Sequence, residues 1–463
     1  MLELDPVILS RIQFAFTITF HVIFPSFTIG LAAWLTTLEG LSMATGRPVY
    51  RRLFDFWLKI FVVAFVMGVV SGIVMAFQFG TNWSELAART GPIQGPLLAY
   101  ESFTAFLLEA TFFGVMLFGR HRVPPWFYFV SCLMVAFGTS LSTFWILANN
   151  SWMQVPVGYA LEGQQFVPTS WSAILTNEVL WVRFPHMLLA AYLTTAFCVA
   201  AVGAWYALRR LYAEESRVML RMGLGLAALL IPFQLVIGHL NGEYVEKHQP
   251  SKFTAIEGRW ETEQPARLLL LAWPDEAAER NSFEIGVPVL GSFFDSLTFD
   301  SKEPGIRTVA ADERPPFLIP FYGFRAMVGM GLVMLFISWT GSVLVRRRRM
   351  DAGKLPPKWF LWATALSFPS GFIAVVAGWF TAEVGRQPWV VFGALRTADA
   401  VTPSLGTATA LTSLLIYIGL YSIIFPAGTY YIHRTIKRGP GNEIEADEST
   451  EVKVHRRALP LGQ

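Results

Sequence analysis

A short stretch near the end of a long apolar run combines side chains that could do chemistry inside an apolar environment. Residues 378–389, GWFTAEVGRQPW, hold the carboxylate of Glu383, the cation of Arg386 and two indole rings. A carboxylate at the edge of an apolar segment is costly to desolvate, so it usually has a partner or a task. A buried carboxylate with a nearby cation and flat aromatic walls could serve a cation, a proton or a flat cofactor.

Candidate metal ligands also lie in three other apolar runs. His21 falls within the first run, His186 opens the fifth after an Arg-Phe-Pro triplet, and Met327 lies near the start of the seventh. Histidine with methionine forms an axial pair of low-spin haem, and histidine or a carboxylate can hold a haem with an open face. Each residue also has a plainer explanation, because a membrane histidine is as often a hydrogen-bonded packing residue and a lone methionine usually fills a core. Together with Glu383 they indicate a haem site.

Two arginines and a further histidine lie near the same ends of these runs. Arg11 and Arg325 could neutralise haem propionates, or they could contact lipid headgroups. His239, at the end of the sixth run, is the weakest candidate ligand and is interpreted as an interfacial residue.

The third run carries two carboxylates, Glu101 and Glu109, eight residues apart. On an α-helix this spacing gives about 12 Å of rise and roughly 80° of rotation. The two groups can therefore lie on one broad side at two depths, as a water-bridged proton relay needs. The alternative is that each pairs with a polar residue of a neighbouring helix. Polar residues of the fourth run could be packing groups or part of the same path, namely Ser140, Ser142 and Asn150.

A cation and a carboxylate follow the sixth run. Lys252 and Glu257 lie five residues apart in QPSKFTAIE, residues 249–257. On an exposed loop such a pair is usually solvated charge. The pair gains interest because it faces the same membrane side as the haem candidates.

Composition places all these groups in a membrane protein. Of 463 residues, 54% are hydrophobic and only 15% are charged, against about 25% charged in a soluble domain. The net charge of +3 gives no reason to expect nucleic acid as a partner. No CxxCH motif is present, so covalently attached haem is not expected, and Cys132 and Cys198 are interpreted as small core residues. The acidic start lacks the basic region of a cleaved signal peptide, so the first run is kept as a spanning helix.

The expected fold is all-α, with about nine transmembrane helices. A bilayer core needs about 20 apolar residues per helix. By this measure the spans run near 14–41, 54–79, 96–118, 126–148, 184–208, 218–240, 319–345, 359–382 and 407–432.

The connections between these spans alternate in charge. The short connections at 80–95, 149–183 and 383–406 are poor in lysine and arginine, whereas the short connections on the opposite side and the C-terminal end of the last span are rich in basic residues, mainly arginine. The positive-inside rule therefore predicts an N-terminus outside and a C-terminus in the cytoplasm.

The sequence divides into four parts. Residues 1–240 hold helices one to six, 241–318 form a long outer-face loop, 319–432 hold helices seven to nine, and 433–463 form a cytoplasmic tail. Because the loop contains aromatic and apolar residues, we expect it to be an ordered surface module.

Taken together, these motifs resemble subunit I of the cytochrome bd-type quinol oxidases. The matches cover nearly the whole chain, and that of residues 378–389 is highly specific. The others are SRIQF at 10–14 with His21, QFGTNW at 78–83, WILANNSWMQ at 145–154, and FRAMV at 324–328. The loop after Glu257 is short, which is similar to the short-loop group that includes cyanide-insensitive oxidases.

The resemblance implies three haems. His186 and Met327 would ligate a low-spin haem b, and Trp379 would lie among the haems as an electron-transfer spacer. His21 and Glu383 would be the ligands of a high-spin haem b and of haem d, in either order. In the short-loop group a haem b can take the place of haem d.

The resemblance also implies the substrates. Lys252 and Glu257 match the quinol-site positions of the family, and Glu101 and Glu109 match its proton-path carboxylates. Such an enzyme oxidises quinol at the outer face of the bacterial cytoplasmic membrane and reduces dioxygen to water with cytoplasmic protons. A second membrane subunit is the implied partner, and a small accessory subunit is a further candidate.

Two other functions are compatible with the same residues. One is a haem b electron-transfer subunit without oxygen chemistry, which needs bis-histidine sites; here only His239 could partner His186 at matching depth. The other is a proton-coupled transporter that uses Glu101, Glu109 and Glu383.

Overall fold

Long apolar runs form long helices, and capping residues mark their ends. The computed structural model describes residues 5–347 and 355–441. Helix α1 (Pro6–Thr45) begins at Asp5, whose carboxylate accepts a hydrogen bond from Val7 N at 3.1 Å. It ends at Gly46, which adopts a positive φ of 66°, a conformation that favours glycine.

Within the described residues, nine helical segments are long and apolar enough to cross a membrane, which confirms the predicted number. In chain order the helices after α1 are α2 (Pro48–Thr81), α3 (Ser84–Tyr100), α4 (Leu107–Phe118), α5 (Pro125–Gln154), α6 (Trp171–Leu175), α7 (Glu178–Arg209), α8 (Ala213–His248), α9 (Pro250–Glu257), α10 (Leu290–Ser296), α11 (Leu318–Arg347), α12 (Lys358–Leu366), α13 (Ser370–Val384) and α14 (Thr407–Arg438).

The third span is longer than predicted and is not a uniform α-helix. It joins α3 and α4 through a π-helical segment, Glu101–Phe106. A π-helix has a wider turn than an α-helix. The rotation of roughly 80° expected between Glu101 and Glu109, which assumed α-helix throughout, is therefore wrong.

Two other spans are interrupted. The fifth consists of the short α6 and the long α7, and the eighth consists of α12 and α13. Between α12 and α13 the residues Ser367, Phe368 and Pro369 leave α-helical hydrogen bonding. Proline cannot continue the ladder of the preceding helix, so the α-helical hydrogen bonding of the eighth span is interrupted here.

The predicted all-α membrane fold is confirmed, and the described residues add three small antiparallel hairpins to it. They are formed by β1 (Tyr159–Glu162) with β2 (Gln165–Pro168), β3 (Leu268–Asp275) with β4 (Arg280–Val287), and β5 (Trp389–Val391) with β6 (Leu395–Arg396). All three lie in connections at the end of the bundle where α8 and α11 are joined. We call this end the loop end and the opposite one the far end.

The connection between α8 and α11 is ordered. It begins later than predicted, since α8 continues to His248, and it contains α9, the β3–β4 hairpin and α10. Trp260 stacks on Phe317 with ring centroids 4.1 Å apart, which ties the start of the connection to its end. The segment therefore covers the loop end of the bundle.

Glycines bring the central helices into close contact. A Cβ added at Gly30 of α1 would lie 2.5 Å from Thr195 Oγ1 of α7. A Cβ added at Gly371 of α13 would lie 2.5 Å from Thr194 Oγ1, which also belongs to α7. One at Gly323 of α11 would lie 2.7 Å from Thr381 Oγ1 of α13. These three contacts join α1, α7, α13 and α11 into one tightly packed group.

Ion pairs cluster at the far end. Arg120 Nη2 lies 2.8 Å from Glu39 Oε2, and Arg52 Nε lies 2.7 Å from Glu215 Oε1. The predicted basic connections that the structure describes lie at this end. Residues 348–354 and the predicted tail from residue 442 onward are outside the described part of the chain.

Candidate functional site

A cavity at the loop end is bounded by α5, α7, α8, α9, α11 and α13. Its volume is ≈ 190 Å³, far above the roughly 10–15 Å³ that one water needs. His186, Met327 and Trp379 line it. Two glycines make room beside the candidate ligands. A Cβ added at Gly238 would lie 3.3 Å from His186 Cε1, and a Cβ added at Gly378 would lie 2.9 Å from Met327 Sδ.

The cavity wall beside His186 carries polar atoms that have no hydrogen-bond partner among the described residues. Gln234 Nε2 lies 3.3 Å from His186 Nδ1 and 3.5 Å from Nε2. Gln234 Oε1 and Asn241 Oδ1 are buried, and neither has a hydrogen-bond partner among the described residues. Buried polar atoms are rarely unpaired in native proteins, so this wall is suited to a ligand with polar as well as apolar parts.

Glu383 is held by donors from two other segments. Asn150 Nδ2 and Gln154 Nε2 donate to its Oε1 at 3.0 and 3.1 Å, and Arg386 Nη2 pairs with its Oε2. Arg386 is only 5% exposed. Hydrogen bonds and a cation stabilise the ionised form of a carboxylate. The side chain is therefore a fixed, half-buried carboxylate that could bind a metal centre.

His21 lies elsewhere, where α1 contacts α2. Its Nδ1 is 3.0 Å from Ser71 Oγ, which orients the ring and leaves the second nitrogen for a ligand. An added Cβ at Gly72 would lie 3.2 Å from His21 Cε1. Neither His21 nor Glu383 is among the described residues that line the His186 cavity. Arg11, nearer the loop end of α1, is half-buried.

Helix α9 places Lys252 and Glu257 inside the protein. They are 2% and 4% exposed, so the interpretation as solvated charge is wrong, because the connection folds down over the bundle. Both residues line the cavity with His186. Lys252 Nζ donates to Gln154 Oε1 at 2.6 Å, and Gln154 also contacts Glu383. Burial lowers the pKa of Lys252 well below its usual range, and the cation of Arg386 adds to this effect.

Glu257 faces a guanidinium without a close hydrogen bond. Its Oε2 lies 3.9 Å from Arg259 Nη2, and that oxygen is buried with no hydrogen-bond partner among the described residues. An unpaired carboxylate oxygen beside a cavity is a suitable acceptor for a hydroxyl proton.

Arg325 has a structural task that the sequence does not reveal. Its guanidinium donates to Ile256 O at 2.7 Å and to Leu269 O at 2.5 Å, and it stacks 3.5 Å from the ring centroid of Phe321. These contacts fasten the end of α9 and the start of β3 to α11. The propionate role of Arg325 stays a prediction.

The two carboxylates of the third span occupy different surroundings. Ser142 Oγ donates to Glu101 Oε1 at 2.8 Å. Glu109 is 6% exposed, its Oε1 has no hydrogen-bond partner among the described residues, and an added Cβ at Gly138 would lie 2.6 Å from its Cγ. Of the other polar residues expected along this path, Ser140 donates to its own helix and Asn150 contacts Glu383.

Comparison with known proteins identifies this arrangement. The family model for cytochrome bd terminal oxidase subunit I matches residues 9–440. The chain is a member of that family. It is 34% identical to cytochrome bd ubiquinol oxidase subunit 1 of Bacillus subtilis, with 96% of each chain covered. It is 32% identical to cytochrome bd-II ubiquinol oxidase subunit 1 of Escherichia coli, with 96% of this chain and 99% of the relative covered.

A solved structure has the same fold. The bd oxidase from Geobacillus thermodenitrificans matches with a TM-score of 0.86 and 27% identity, over 95% of this chain and 100% of that one. Members of the family are haem-containing subunits of terminal respiratory oxidases, which are quinol:oxygen oxidoreductases. The subunit I family implies a subunit II partner and a multi-pass location in the membrane. The proton-coupled transporter is therefore rejected.

The residues present fit haem binding. Imidazole, thioether and carboxylate are all known haem ligands, and His186, Met327, His21 and Glu383 supply them. The glycines beside His186 and Met327 and the unpaired amide oxygens of the cavity wall agree with a large ligand of mixed polarity.

Sequence reasoning missed three residues of the site. Gln154 links Lys252 to Glu383, and the half-buried Arg183 donates to Ser151 Oγ at 3.3 Å beside the cavity. Gln234 contacts the imidazole of His186. Gln154 belongs to the WILANNSWMQ motif, so its polar character at the end of an apolar helix was a usable signal.

Proposed function

We propose that this chain oxidises quinol at the loop end and passes the electrons to haems that it holds within the bundle. His186 and Met327 would hold a low-spin haem b. His21 and Glu383 would hold a high-spin haem b and either haem d or a second haem b. Haem, when bound, supplies one-electron transfer and dioxygen reduction. Arg11 would neutralise propionates, and Trp379 would fill the space between the haems.

One observation carries the proposal. Lys252 and Glu257 line the same cavity as His186 and Met327. A quinol head group at this cavity would therefore lie beside the residues proposed to bind the first electron acceptor. Short distance between donor and acceptor is what rapid electron transfer requires.

The two charged residues have different tasks in this scheme. A quinol hydroxyl must lose its proton as its electrons leave, so it needs a base within hydrogen-bond reach. Glu257 has an unpaired carboxylate oxygen at the cavity, and we assign it that task. Lys252, which is fixed to Gln154, would orient the head group.

Protons for dioxygen reduction would come from the other side of the membrane. The arginine-rich far end is cytoplasmic by the positive-inside rule, which leaves the N-terminus and the quinol site outside. Glu109 lies deeper toward the far end than Glu101. A carboxyl group in apolar surroundings favours its neutral form, so Glu109 could hold a proton and pass it toward Glu101. Subunit II and a small accessory subunit would complete the assembly.

The test replaces Glu257 by glutamine in the assembled oxidase. Glu257→Gln keeps the shape but removes the base, so quinol oxidation should fall by about a hundredfold or more, the usual contribution of general-base catalysis. The absorption spectra of the haems should stay normal. Glu261→Gln is the matched control, because its carboxylate lies in the same connection but is 70% exposed.

Two results would contradict the proposal. Wild-type quinol turnover in Glu257→Gln would mean that the base lies elsewhere. A purified complex without a Soret band would remove the haem assignments as well.

A further inference from the structure

A second group of buried charges adjoins Glu257, outside the set of residues that line the cavity. Arg259 is 1% exposed and stands among three carboxylates. Its Nη2 pairs with Asp295 Oδ2 and lies 3.9 Å from Glu257 Oε2, and its Nη1 lies 4.0 Å from Glu303 Oε2. We call these four residues the Arg259 cluster.

The charge balance of the Arg259 cluster favours a bound proton. The three carboxylate side chains are at most 6% exposed, and only one guanidinium stands among them. Three like charges grouped around one cation in a poorly solvated site cannot all ionise cheaply. In agreement with this, burial raises the pKa of Asp295 to about 7, with Glu257 and Glu303 adding to the effect and Arg259 opposing it.

The cluster extends from the cavity toward the surface. Glu257 lies on α9 at the cavity, Asp295 lies on α10, and Glu303 lies in the segment after α10. Ser301 Oγ, on a half-buried residue next to exposed ones, donates to Glu303 Oε1 at 2.6 Å. Three further charged groups of the described chain act on the cluster, namely Glu246 at the end of α8, Glu263 in the connection and Arg325 on α11.

We propose that Asp295 and Glu303, arranged around Arg259, form the outlet by which protons taken from quinol leave for the outer solution. The inference rests on the proposed role of Glu257 as the quinol base. The quinol O–H bond breaks as an O–H bond forms on Glu257, while the electrons go to the haems. Glu257 then transfers the proton to Asp295, Asp295 transfers it to Glu303, and Glu303 releases it to surface water. Arg259 stays charged throughout and limits the cluster to about one bound proton at a time.

The experiment compares two isosteric variants in the assembled oxidase, Asp295→Asn and Glu303→Gln. We expect maximal quinol turnover to fall by about tenfold, less than the hundredfold or more that loss of a direct acid–base partner costs, because neither group exchanges a proton with quinol directly. The solvent deuterium isotope effect should rise, since proton release becomes rate-limiting. KM for quinol should stay unchanged, and Asp295→Glu should restore turnover.

The pH profile separates a relay from a structural role. Removing one carboxylate from the cluster leaves fewer like charges around Arg259, so the acid limb of turnover should move to lower pH. A merely structural defect would lower turnover without moving the acid limb of the pH profile. Asp300→Asn is the matched control, because Asp300 is exposed in the same connection, and it should change neither quantity.

The outcomes distinguish the two proposals. If Glu257→Gln loses activity while both cluster variants keep wild-type turnover, isotope effect and pH profile, the outlet is refuted and the quinol base stands. If Glu257→Gln itself is fully active, the proposed function fails. If one cluster variant does not assemble, the other is used instead. Either variant alone must show the shifted acid limb of the pH profile and the raised solvent isotope effect.

Discussion

The close contact between α7 and α13 can be tested by adding one methyl group. In Gly371→Ala the new Cβ would lie 2.6 Å from Thr194 Cα, a backbone atom. The two helices would have to separate by about 0.8 Å to reach ordinary contact at 3.4 Å. Overpacking of this kind typically costs about 1–3 kcal/mol, and the helix preference of alanine over glycine returns at most about 1 kcal/mol.

The displacement should also reach the haem candidates. Thr194 lies eight residues from His186 on α7, which is about 12 Å along the helix, and α13 carries Trp379 and Glu383. A binding site tolerates displacements of only about 0.5 Å. Purified Gly371→Ala oxidase should therefore lose haem at a temperature several degrees below wild type. Its low-spin haem band should be weakened or shifted.

The control is Gly428→Ala on α14. Its new Cβ would approach Met67 Sδ even more closely, but that atom is the flexible end of a side chain, and methionine repacks easily. We expect wild-type thermal behaviour and spectra. The reasoning would be refuted if Gly428→Ala were more damaging than Gly371→Ala, or if Gly371→Ala behaved like wild type. Thr194→Ala should not rescue Gly371→Ala, because the clash with Thr194 Cα remains.

Two further predictions concern cofactors and protons. His186→Ala and Met327→Leu should each abolish the low-spin haem b spectrum while the high-spin haems persist. Glu383→Gln should leave the low-spin spectrum unchanged and perturb the spectrum of a high-spin haem. Unchanged spectra would overturn the ligand assignments. In proteoliposomes, Glu109→Gln should slow dioxygen consumption and proton uptake while haem reduction by quinol continues, and wild-type rates would return this carboxylate to a purely structural role.

Much of the fold could be predicted because it depends on local hydropathy. A helix that crosses a membrane needs a continuous apolar run, and each of the predicted spans corresponds to one candidate spanning helix in the described chain. The exceptions are places where hydropathy carries no information. The π-helical segment Glu101–Phe106 and the break before α13 change the backbone geometry without changing the apolar character of the run.

The candidate site was only partly predictable, because its contacts join distant parts of the chain. Glu383 stands out from sequence as a charge at the edge of an apolar run. Its hydrogen-bond donors Asn150 and Gln154 lie more than 200 residues away, on α5. Lys252 belongs to a polar segment that reads as exposed. Its burial follows from the way the connection covers the bundle, and that is a tertiary property.

The contacts at Gly30, Gly323 and Gly371 also bear on the timing of electron flow. The rate of electron tunnelling falls exponentially with the gap between donor and acceptor. The helices that carry the four haem-ligand candidates are joined through these contacts, and close-packed interiors deform little. With haems held as proposed, the gaps between the redox centres would stay constant during turnover. We then expect quinol exchange and the arrival and departure of protons, rather than relative movement of the helices, to set the pace of the enzyme.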